Sequence, residues 1–438
     1  MTDVKANSGS SRRDFIRSSA AVSTAAIAAQ LGISSAAHAQ GSEEVRVGLI
    51  GCGGRGSGAA SQALSTAGKV RLVAAADAFE DRLNSSVGNL AKEHKGKVDL
   101  KADDKYVGFD AYQKLIDRND VDMVILATPP GFRPIHFEYA VKKGKHVFME
   151  KPVATDAPGV RTVLAAAEEA KKKGLKVGVG LQRHHQANYI ETVKRLQDGA
   201  IGRINLLRVY WNNAGVWVRP RQPQQTEMEY QMRNWYYFNW LCGDHINEQH
   251  IHNLDVANWV MDAHPVIAQG QGGREVRKGK EYGEIYDHHM VEFTYSDGTK
   301  LLSQCRHIRG CWSQVAEFAE GATGKANIGG GNIQQWAGGA PWKATGGKNP
   351  YQVEHDDLFD AIRNNKPYNE AFYGATSTMT SILGRMCTYS GKEIKWDDAI
   401  NSQISLMPEK FAFDAEAPVL PDKDGLYPIA VPGETKVV

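Results

Sequence analysis

Two groups of side chains in this sequence combine residue types that can move a proton. The first is Lys151, which stands between Glu150 and Pro152 directly after an apolar run. A lysine at the end of a buried strand, close to a positively charged ligand, has its ammonium form disfavoured, which suits it to proton transfer or to orienting a substrate. An ordinary surface lysine is the alternative. The pattern makes Lys151 a candidate catalytic or substrate-orienting group.

The second group lies in residues 242–260, whose apolar positions fit a helix only loosely. On a helix, Glu248 and His252 are four residues apart and share one face, and Asp255 follows three residues later. A buried carboxylate beside an imidazole fixes the orientation of the ring and raises its basicity. Glu248 and His252 are therefore a candidate acid–base pair, and a polar helix at a domain or subunit boundary is the alternative.

A metal site is a third interpretation of the same segment. His245, Glu248 and His252 could present ligands on one helix face, and residues 287–289 (Asp-His-His) would supply more. However, the chain has no tight ligand motif, and a carboxylate–imidazole pair needs no ion. We therefore predict no metal.

A glycine-rich turn near the N-terminus predicts a dinucleotide site. The apolar run Val45–Ile50 leads directly into Gly51-Cys52-Gly53-Gly54-Arg55-Gly56, with a helix pattern behind it. Gly51 allows the tight turn, Gly53 lets the backbone approach a pyrophosphate, and Gly56 lets the helix pack on the strand. A second buried strand ends at Asp77, roughly 20 residues beyond the turn, where an acid meets the adenosine ribose.

The same acid indicates which coenzyme is bound. The carboxylate of Asp77 favours NAD because it would repel the 2′-phosphate of NADP, whereas the nearby Arg82 leaves NADP open. In a parallel sheet that binds a dinucleotide, the ligand lies beyond the carboxyl ends of the strands. We therefore predict that the coenzyme site also includes the residues that follow later strands, namely Thr128, Pro129, Glu150 and Lys151.

The elements that must position these residues fall into two domains. Strand and helix patterns alternate through residues 45–180, which predicts a parallel, doubly wound Rossmann sheet. Residues 181–438 show several strands in succession, which predicts an α+β substrate-binding domain with an open, mostly antiparallel sheet. We expect helices at Tyr351–Arg363 and Thr376–Tyr389 to pack on that sheet. The proline-rich tail after Trp396 should wrap over the surface or contact another subunit.

Residues 1–39 have the pattern of a twin-arginine export signal. Arg12 and Arg13 lie in the sequence Ser-Arg-Arg-Asp-Phe-Ile, an alanine-rich run follows, and Ala37-His38-Ala39 offers a cleavage site. A disordered N-terminal arm is the alternative, and the apolar run is too short to span a membrane. We expect the export machinery to carry the folded protein to the periplasm, with its coenzyme already bound and tightly held.

Composition limits the other functions. The formal net charge is +2, so little attracts the chain to nucleic acid or to an anionic membrane. The five cysteines match no disulfide or zinc framework and are expected to be free.

Aromatic residues precede the histidine-rich segment and suggest the kind of ligand. Residues 235–240 include Trp235, Tyr236 and Trp240, and aromatic faces beside polar groups suit a sugar ring. Such residues are also common in cores and interfaces. We predict that the substrate contacts Arg183, His184, Tyr236, His250 and Asp255.

Taken together, these motifs resemble the glucose–fructose oxidoreductase/inositol dehydrogenase (Gfo/Idh/MocA) superfamily over nearly the whole mature chain. The resemblance rests on the glycine-rich turn, on Ala-Thr-Pro-Pro followed by His136, on Glu-Lys-Pro at 150–152, and on the helix carrying Glu248 and His252. It implies that Lys151 and His252 flank the nicotinamide and the substrate hydroxyl, and it adds His136 to the coenzyme site. Glu248 departs from the usual aspartate, and His250 stands where glycine is common.

The resemblance also implies an activity. The family acts on pyranoses or polyols with a nicotinamide coenzyme and commonly forms homo-oligomers through open sheet faces. The export signal and the 242–260 segment are similar to an exported branch that oxidises glycosides, in some members at carbon 3. Other relatives there are NAD-dependent glycosidases that oxidise the sugar only transiently. A redox-inactive sugar-binding protein is the non-enzymatic alternative.

Overall fold

The computed structural model describes residues 44–438, and the predicted export signal lies outside this range. The first half forms a six-stranded sheet in the order β3-β2-β1-β4-β5-β6, and every pair of neighbours is parallel. Its strands are β1 (Glu44–Ile50), β2 (Lys69–Asp77), β3 (Lys105–Val107), β4 (Met123–Leu126), β5 (His146–Met149) and β6 (Val177–Val179). The strand order reverses between β1 and β4, which creates a crevice at their carboxyl ends.

Helices connect these strands, as the alternating pattern predicts. They are α1 (Gly54–Leu64), α2 (Glu80–Glu93), α3 (Ala111–Ile116), α4 (Arg133–Lys142) and α5 (Ala157–Lys172). The buried face of α1 consists largely of Ala59, Ala60 and Ala63, which have almost no exposed surface. Because these side chains are small, the helix lies close to the sheet and its N-terminus stays near the end of β1.

The second half is built on a nine-stranded sheet in the order β14-β13-β12-β11-β7-β10-β9-β8-β15. The strands are β7 (Ile204–Asn213), β8 (Ile267–Gly273), β9 (His288–Thr294), β10 (Lys300–His307), β11 (Gln314–Gly321), β12 (Gly324–Asn327), β13 (Asn332–Gln335), β14 (Trp342–Lys343) and β15 (Ile394–Lys395). Within this second sheet, β7 and β10 form the one parallel pair among the described strands, and the other pairs are antiparallel. The predicted fold class, a Rossmann sheet followed by a mostly antiparallel sheet, is confirmed.

The helices of the second half correct one prediction. They are α6 (Ala187–Gln197), α7 (Glu227–Arg233), α8 (Asn239–Cys242), α9 (His245–Glu248), α10 (Ile251–Met261), α11 (Pro350–Arg363), α12 (Ala371–Ser390) and α13 (Trp396–Ile400). As expected, α12 packs on β8 and β9. In contrast, α11 packs on the first sheet, where Leu358 and Phe359 join the core that surrounds Phe148. The expectation that α11 covers the antiparallel sheet was wrong.

The segment expected to be one loose helix is broken. Gly243 and Asp244 have φ angles of 74° and 70°, which ends α8 and starts α9 in a new direction. A positive φ at an aspartate costs about 1–3 kcal/mol. Buried hydrogen bonds offset this cost, since the Asp244 carboxylate accepts from the backbone N–H of Tyr286 at 2.9 Å and from the Tyr389 hydroxyl at 2.5 Å.

Three further predictions concern the chain as a whole. Within residues 44–438, no helix is both long and apolar enough to cross a membrane. All five cysteines are free, as predicted, and Cys311 is the exposed one. The tail after α13 runs over the surface and places Phe413 against Phe109, with ring centroids 4.8 Å apart.

Candidate active site

The glycine-rich turn has the geometry that a pyrophosphate requires. Gly51 has a φ of 97°, a conformation that a side chain would strain. A Cβ on Gly56 would lie 1.9 Å from the Gly51 carbonyl oxygen, so only glycine lets α1 begin this close to β1. A Cβ on Gly53 would meet no described atom within 4 Å. The space beside Gly53 is therefore open for a ligand.

This contrast predicts different outcomes for two neighbouring alanine substitutions. We expect Gly56→Ala to lower Tm, because the clash is with backbone and the turn must move. Gly53→Ala should leave Tm unchanged but weaken NAD binding by about tenfold or more, because its methyl group occupies the space that the pyrophosphate needs. Thermal unfolding and calorimetric titration with NAD measure the two effects. Unchanged NAD affinity in Gly53→Ala would contradict this assignment of the turn.

A cavity of about 360 Å³ opens at the turn. Eight residues of the predicted coenzyme site line it: Gly51, Gly53, Gly54, Arg55, Asp77, Thr128, Pro129 and His136. The residues present therefore fit a dinucleotide, which the turn would hold at its pyrophosphate.

Asp77 lies at the end of β2, and two backbone donors orient its side chain. Its carboxylate accepts from the backbone N–H groups of Cys52 at 2.6 Å and Phe79 at 2.9 Å. Burial raises the pKa of Asp77, and these hydrogen bonds act in the opposite direction. The carboxylate still borders the cavity, as does Arg82. Asp77 can thus accept from ribose hydroxyls, as the sequence predicted.

Cys52, Glu150 and Lys151, which were also predicted to belong to the coenzyme site, are not among the residues that line this cavity. Cys52 is buried and its thiol points back toward Ala76, with Sγ 3.5 Å from the carbonyl oxygen. Its predicted contact with the coenzyme is thus limited to the backbone. Glu150 is also buried, and its carboxylate forms an ion pair with Arg55 at 2.9 Å. Arg55 is thereby held across the mouth of the turn.

Arg133 is a structural member of the site that sequence reasoning missed. Its guanidinium is almost fully buried and donates to the carbonyl oxygens of Glu150 at 3.0 Å and Thr128 at 2.6 Å. Burial lowers the pKa of Arg133 to about 10. This side chain ties together the residues that follow β4 and β5. The sequence feature that could have indicated this residue is its position next to Pro134 at the start of a helix.

Lys151 reaches across to the second half of the chain. Its Nζ donates to the backbone carbonyl oxygen of Glu248 at 2.6 Å and to the Glu248 carboxylate at 3.1 Å. The structure therefore corrects the predicted acid–base pair. Glu248 ends α9 and His252 lies in α10, so they do not share one helix, and the carboxylate pairs with Lys151.

Three buried polar atoms near this pair have no hydrogen-bond partner among the described residues. They are the Tyr236 hydroxyl, one carboxylate oxygen of Glu248, and Nδ1 of His252. Burial raises the pKa of the Tyr236 hydroxyl, with a contribution from Glu248, and burial lowers the pKa of His252, with a contribution from Lys151; these groups thus share one electrostatic neighbourhood. Because buried polar groups rarely stay unpaired, this arrangement points to a ligand rich in hydroxyl groups.

His252 is held as a neutral imidazole. Its ring stacks on Trp211, with centroids 6.0 Å apart and planes at 24°. Burial, with smaller contributions from Lys151 and Arg183, holds the pKa of His252 well below its usual value. A neutral imidazole can accept a proton, so the geometry supports a general base here.

Two of the predicted substrate residues, Arg183 and His184, are held by contacts within the second half of the chain. Arg183 pairs with the buried carboxylate of Glu317, which also accepts from the Tyr189 hydroxyl at 2.9 Å. His184 stacks on Trp259 and Tyr373, with ring centroids 4.2 Å apart in each case. Whether Arg183 and His184 contact substrate stays a prediction.

Two other substrate predictions need correction. His250 has no exposed surface, and its Nε2 lies 2.8 Å from the Ser303 hydroxyl. Asp255 is 1% exposed, and its carboxylate contacts Nε2 of His184 at 2.9 Å and accepts from Ser377 at 2.8 Å. His250 therefore belongs to the core, and the buried Asp255 orients His184.

The metal alternative takes a different form in the structure. Among the described residues, the group with ligand atoms within 4.8 Å of one another is Asp244, His245 and His289. Glu248 does not belong to this group, because its carboxylate pairs with Lys151. The Asp244 carboxylate already accepts hydrogen bonds from neighbouring residues, including the His245 backbone N–H at 2.5 Å. We describe the group as a buried polar network.

These features define the class of protein. A parallel sheet with its strand order reversed beside a glycine-rich turn is an NAD-binding Rossmann domain. Residues 45–181 match the family described as "Oxidoreductase family, NAD-binding Rossmann fold" (GFO_IDH_MocA), so this part of the chain is similar to the Gfo/Idh/MocA oxidoreductases.

Comparison with characterised proteins agrees with this assignment. The chain is 28% identical to inositol 2-dehydrogenase from Rhizobium meliloti over 288 residues, which cover 65% of this chain and 76% of the relative. It is 30% identical to α-N-acetylgalactosaminidase from Shewanella oneidensis over 178 residues, 37% of this chain and 38% of that protein. Levoglucosan dehydrogenase, solved with NADH and levoglucosan, shares the fold with a TM-score of 0.63 at 16% identity. The match covers 80% of this chain and 99% of that one.

Proposed function

We propose that this protein is an NAD-dependent dehydrogenase that oxidises a hydroxyl group of a sugar or glycoside. The observation that carries the proposal is the contact between Lys151 and Glu248, surrounded by unpaired buried polar atoms. A cleft with a cation, a carboxylate and a neutral imidazole matches a substrate with several neighbouring hydroxyl groups. The named relatives that act on inositol and levoglucosan support this class of substrate.

The residues of the cleft can divide the chemistry between them. His252 accepts the proton of the substrate hydroxyl, because burial keeps its imidazole neutral. Lys151 donates a hydrogen bond to the same oxygen and stabilises its developing negative charge. Glu248 positions Lys151 through its carboxylate and its backbone carbonyl group. NAD, when bound, supplies the acceptor for the hydride.

A second candidate function keeps the same residues. The chain is similar to α-N-acetylgalactosaminidase and to glycosyl hydrolase family 109 proteins, with 29% identity over 179 residues to one from Shewanella baltica. In this alternative the sugar is oxidised transiently, at carbon 3 in our proposal, and the aglycone is then eliminated. Water is added and the hydride returns, so the net reaction is hydrolysis.

One experiment separates these candidates. The purified mature protein is incubated with a panel of glycosides and polyols, and the products are analysed by mass spectrometry. A product lighter by one pair of hydrogen atoms indicates oxidation, and release of the aglycone without net NADH formation indicates hydrolysis. Sugar binding without any conversion would overturn both and support a redox-inactive binding protein.

We also propose that the protein is exported and assembles with itself. The twin-arginine pattern at Arg12 and Arg13 supports export to the periplasm, and replacing both arginines by lysine should leave the protein in the cytoplasmic fraction. A homo-oligomer is supported by two exposed apolar side chains of the second half: Met290 on β9, which is 38% exposed, and Trp312 in the loop between β10 and β11, which is 59% exposed. Light scattering on the purified protein measures its mass in solution.

A further inference from the structure

The walls of the coenzyme cavity come from two separate parts of the chain. One wall is formed by the Rossmann sheet and its loops. The other is formed by residues 217–235, which we call the roof segment and which follow β7. Five of its residues line the cavity beside Asp77: Trp217, Arg219, Met232, Arg233 and Trp235. A coenzyme in this cavity would therefore lie between the Rossmann sheet and the roof segment.

The side chain of Arg233 connects the roof segment to the Rossmann domain by an ion pair and a cation–π contact. Arg233 donates to the Asp81 carboxylate at 2.9 Å, and its guanidinium lies 3.8 Å from the centroid of the Phe79 ring. Phe79 and Asp81 stand at the start of α2, just after Asp77. Arg233 thus bridges the two walls at the end of the cavity where an adenosine ribose would meet Asp77.

The C-terminal tail reinforces this connection. Phe413 packs against Phe79 and Phe109, with ring centroids 5.5 Å and 4.8 Å apart. Its carbonyl oxygen accepts from the Thr226 hydroxyl at 2.6 Å, and Thr226 lies within the roof segment. The tail therefore holds the roof segment from one side and the cavity wall from the other.

The roof segment is itself well anchored. The buried side chain of Asn234 accepts from the backbone N–H of Arg219 at 2.9 Å and donates to the carbonyl oxygen of Glu281 at 2.8 Å. The Tyr237 hydroxyl donates to the carbonyl oxygen of Trp217 at 3.0 Å. These bonds fix the backbone of the roof segment on both sides of α7.

From this arrangement we infer that the roof segment, fastened by Arg233, encloses the adenosine end of the coenzyme, so that NAD stays bound between turnovers. The inference rests on the NAD site described above. Release of the coenzyme requires the ion pair with Asp81 and the stacking on Phe79 to break together. The roof segment thus makes NAD a retained group of the protein, and the NADH formed on it is reoxidised in place, either by return of the hydride to the sugar or by its transfer to a carbonyl group of a second substrate.

The test measures coenzyme release from the full-length protein. Protein loaded with NAD is mixed with an excess of isotopically labelled NAD, desalted at intervals, and analysed for bound coenzyme by mass spectrometry. We expect the parent protein to keep its NAD through desalting and Arg233→Ala to release it about tenfold faster, from the loss of an ion pair and a cation–π contact.

Arg208→Ala is the matched control. Arg208 pairs with Glu320 at 2.7 Å and lies 5.4 Å from the Phe318 ring centroid, so it makes the same two kinds of contact away from the cavity. Its release rate should equal that of the parent. If Arg233→Ala does not fold, Asp81→Asn tests the same ion pair. The Asp81 side chain is 61% exposed, so this change should be tolerated, and we expect a smaller increase in the rate of NAD release.

The outcomes separate this inference from the proposed function. If the parent protein binds NAD but exchanges it as fast as Arg233→Ala does, retention by the roof segment is overturned while the dehydrogenase proposal stands. If the parent, Arg233→Ala and Asp81→Asn all release NAD equally slowly, the role of Arg233 is also overturned. A parent protein with no affinity for NAD would contradict the proposed function itself.

Discussion

Replacing Lys151 with methionine should lower kcat/KM by about a hundredfold to a thousandfold, the cost of losing one preorganised donor to a developing oxyanion. Methionine keeps most of the volume of the side chain but cannot donate to the substrate oxygen. It also leaves Glu248 as a buried carboxylate without its cation. Burial already raises the pKa of Glu248 and Lys151 opposes this rise, so the carboxyl group should take up a proton in the variant.

The measurement is steady-state kinetics with the best glycoside or polyol substrate, together with NAD affinity and Tm. NAD affinity should stay close to that of the parent, because Lys151 does not line the coenzyme cavity. Lys176→Met is the matched control, since Lys176 is also mostly buried, somewhat more deeply than Lys151, and donates to Asn365 at 2.9 Å. If Lys151→Met has the same kcat/KM as the parent, Lys151 does not take part in catalysis.

Replacing His252 with glutamine should lower kcat/KM by about a hundredfold to ten-thousandfold, the usual contribution of a general base. Glutamine fills a similar space and can still form hydrogen bonds, but it cannot accept a proton at neutral pH. The ring contact with Trp211 is lost as well. His264→Gln controls for that loss, because His264 stacks on Trp396 with ring centroids 3.9 Å apart.

The pH profile of the parent enzyme tests the same role independently. A base works only when unprotonated, and the pKa of His252 is lowered in the folded protein. Its active form therefore persists as the pH falls through the usual histidine range. We expect kcat/KM to stay level from about pH 8 to below 6.5 and to fall only in stronger acid. An acid limb near the ordinary histidine pKa, absent from His252→Gln, would contradict the lowered pKa.

Local patterns in the sequence were enough to predict the first half of the fold. The run from Val45 to Gly56 specifies a strand, a turn and a helix within a few residues, because nearby backbone atoms leave room only for glycine at Gly51 and Gly56. The alternation of strands and helices then predicts a parallel sheet, and the carboxyl ends of its strands place Thr128 and Lys151 at the crevice. All of this depends on short-range periodicity.

The cleft itself was predicted only in part. The sequence indicated Lys151, Glu248 and His252, but it predicted that Glu248 pairs with His252, whereas in the structure Glu248 pairs with Lys151. Periodicity assumes one continuous helix, whereas positive φ angles at Gly243 and Asp244 turn the chain between two short helices. Such a break depends on buried partners from distant strands and helices, which no local pattern contains.

The sequence by itself therefore determined the class of fold, the coenzyme turn and the residue types of the chemistry. The tertiary structure decided which side chains meet: Lys151 with Glu248 across the cleft, α11 on the first sheet, and Arg233 over Phe79. The physical reason is the separation in sequence of the residues that interact. Backbone periodicity is set by neighbours in the chain, whereas contacts between elements depend on packing among residues far apart in sequence.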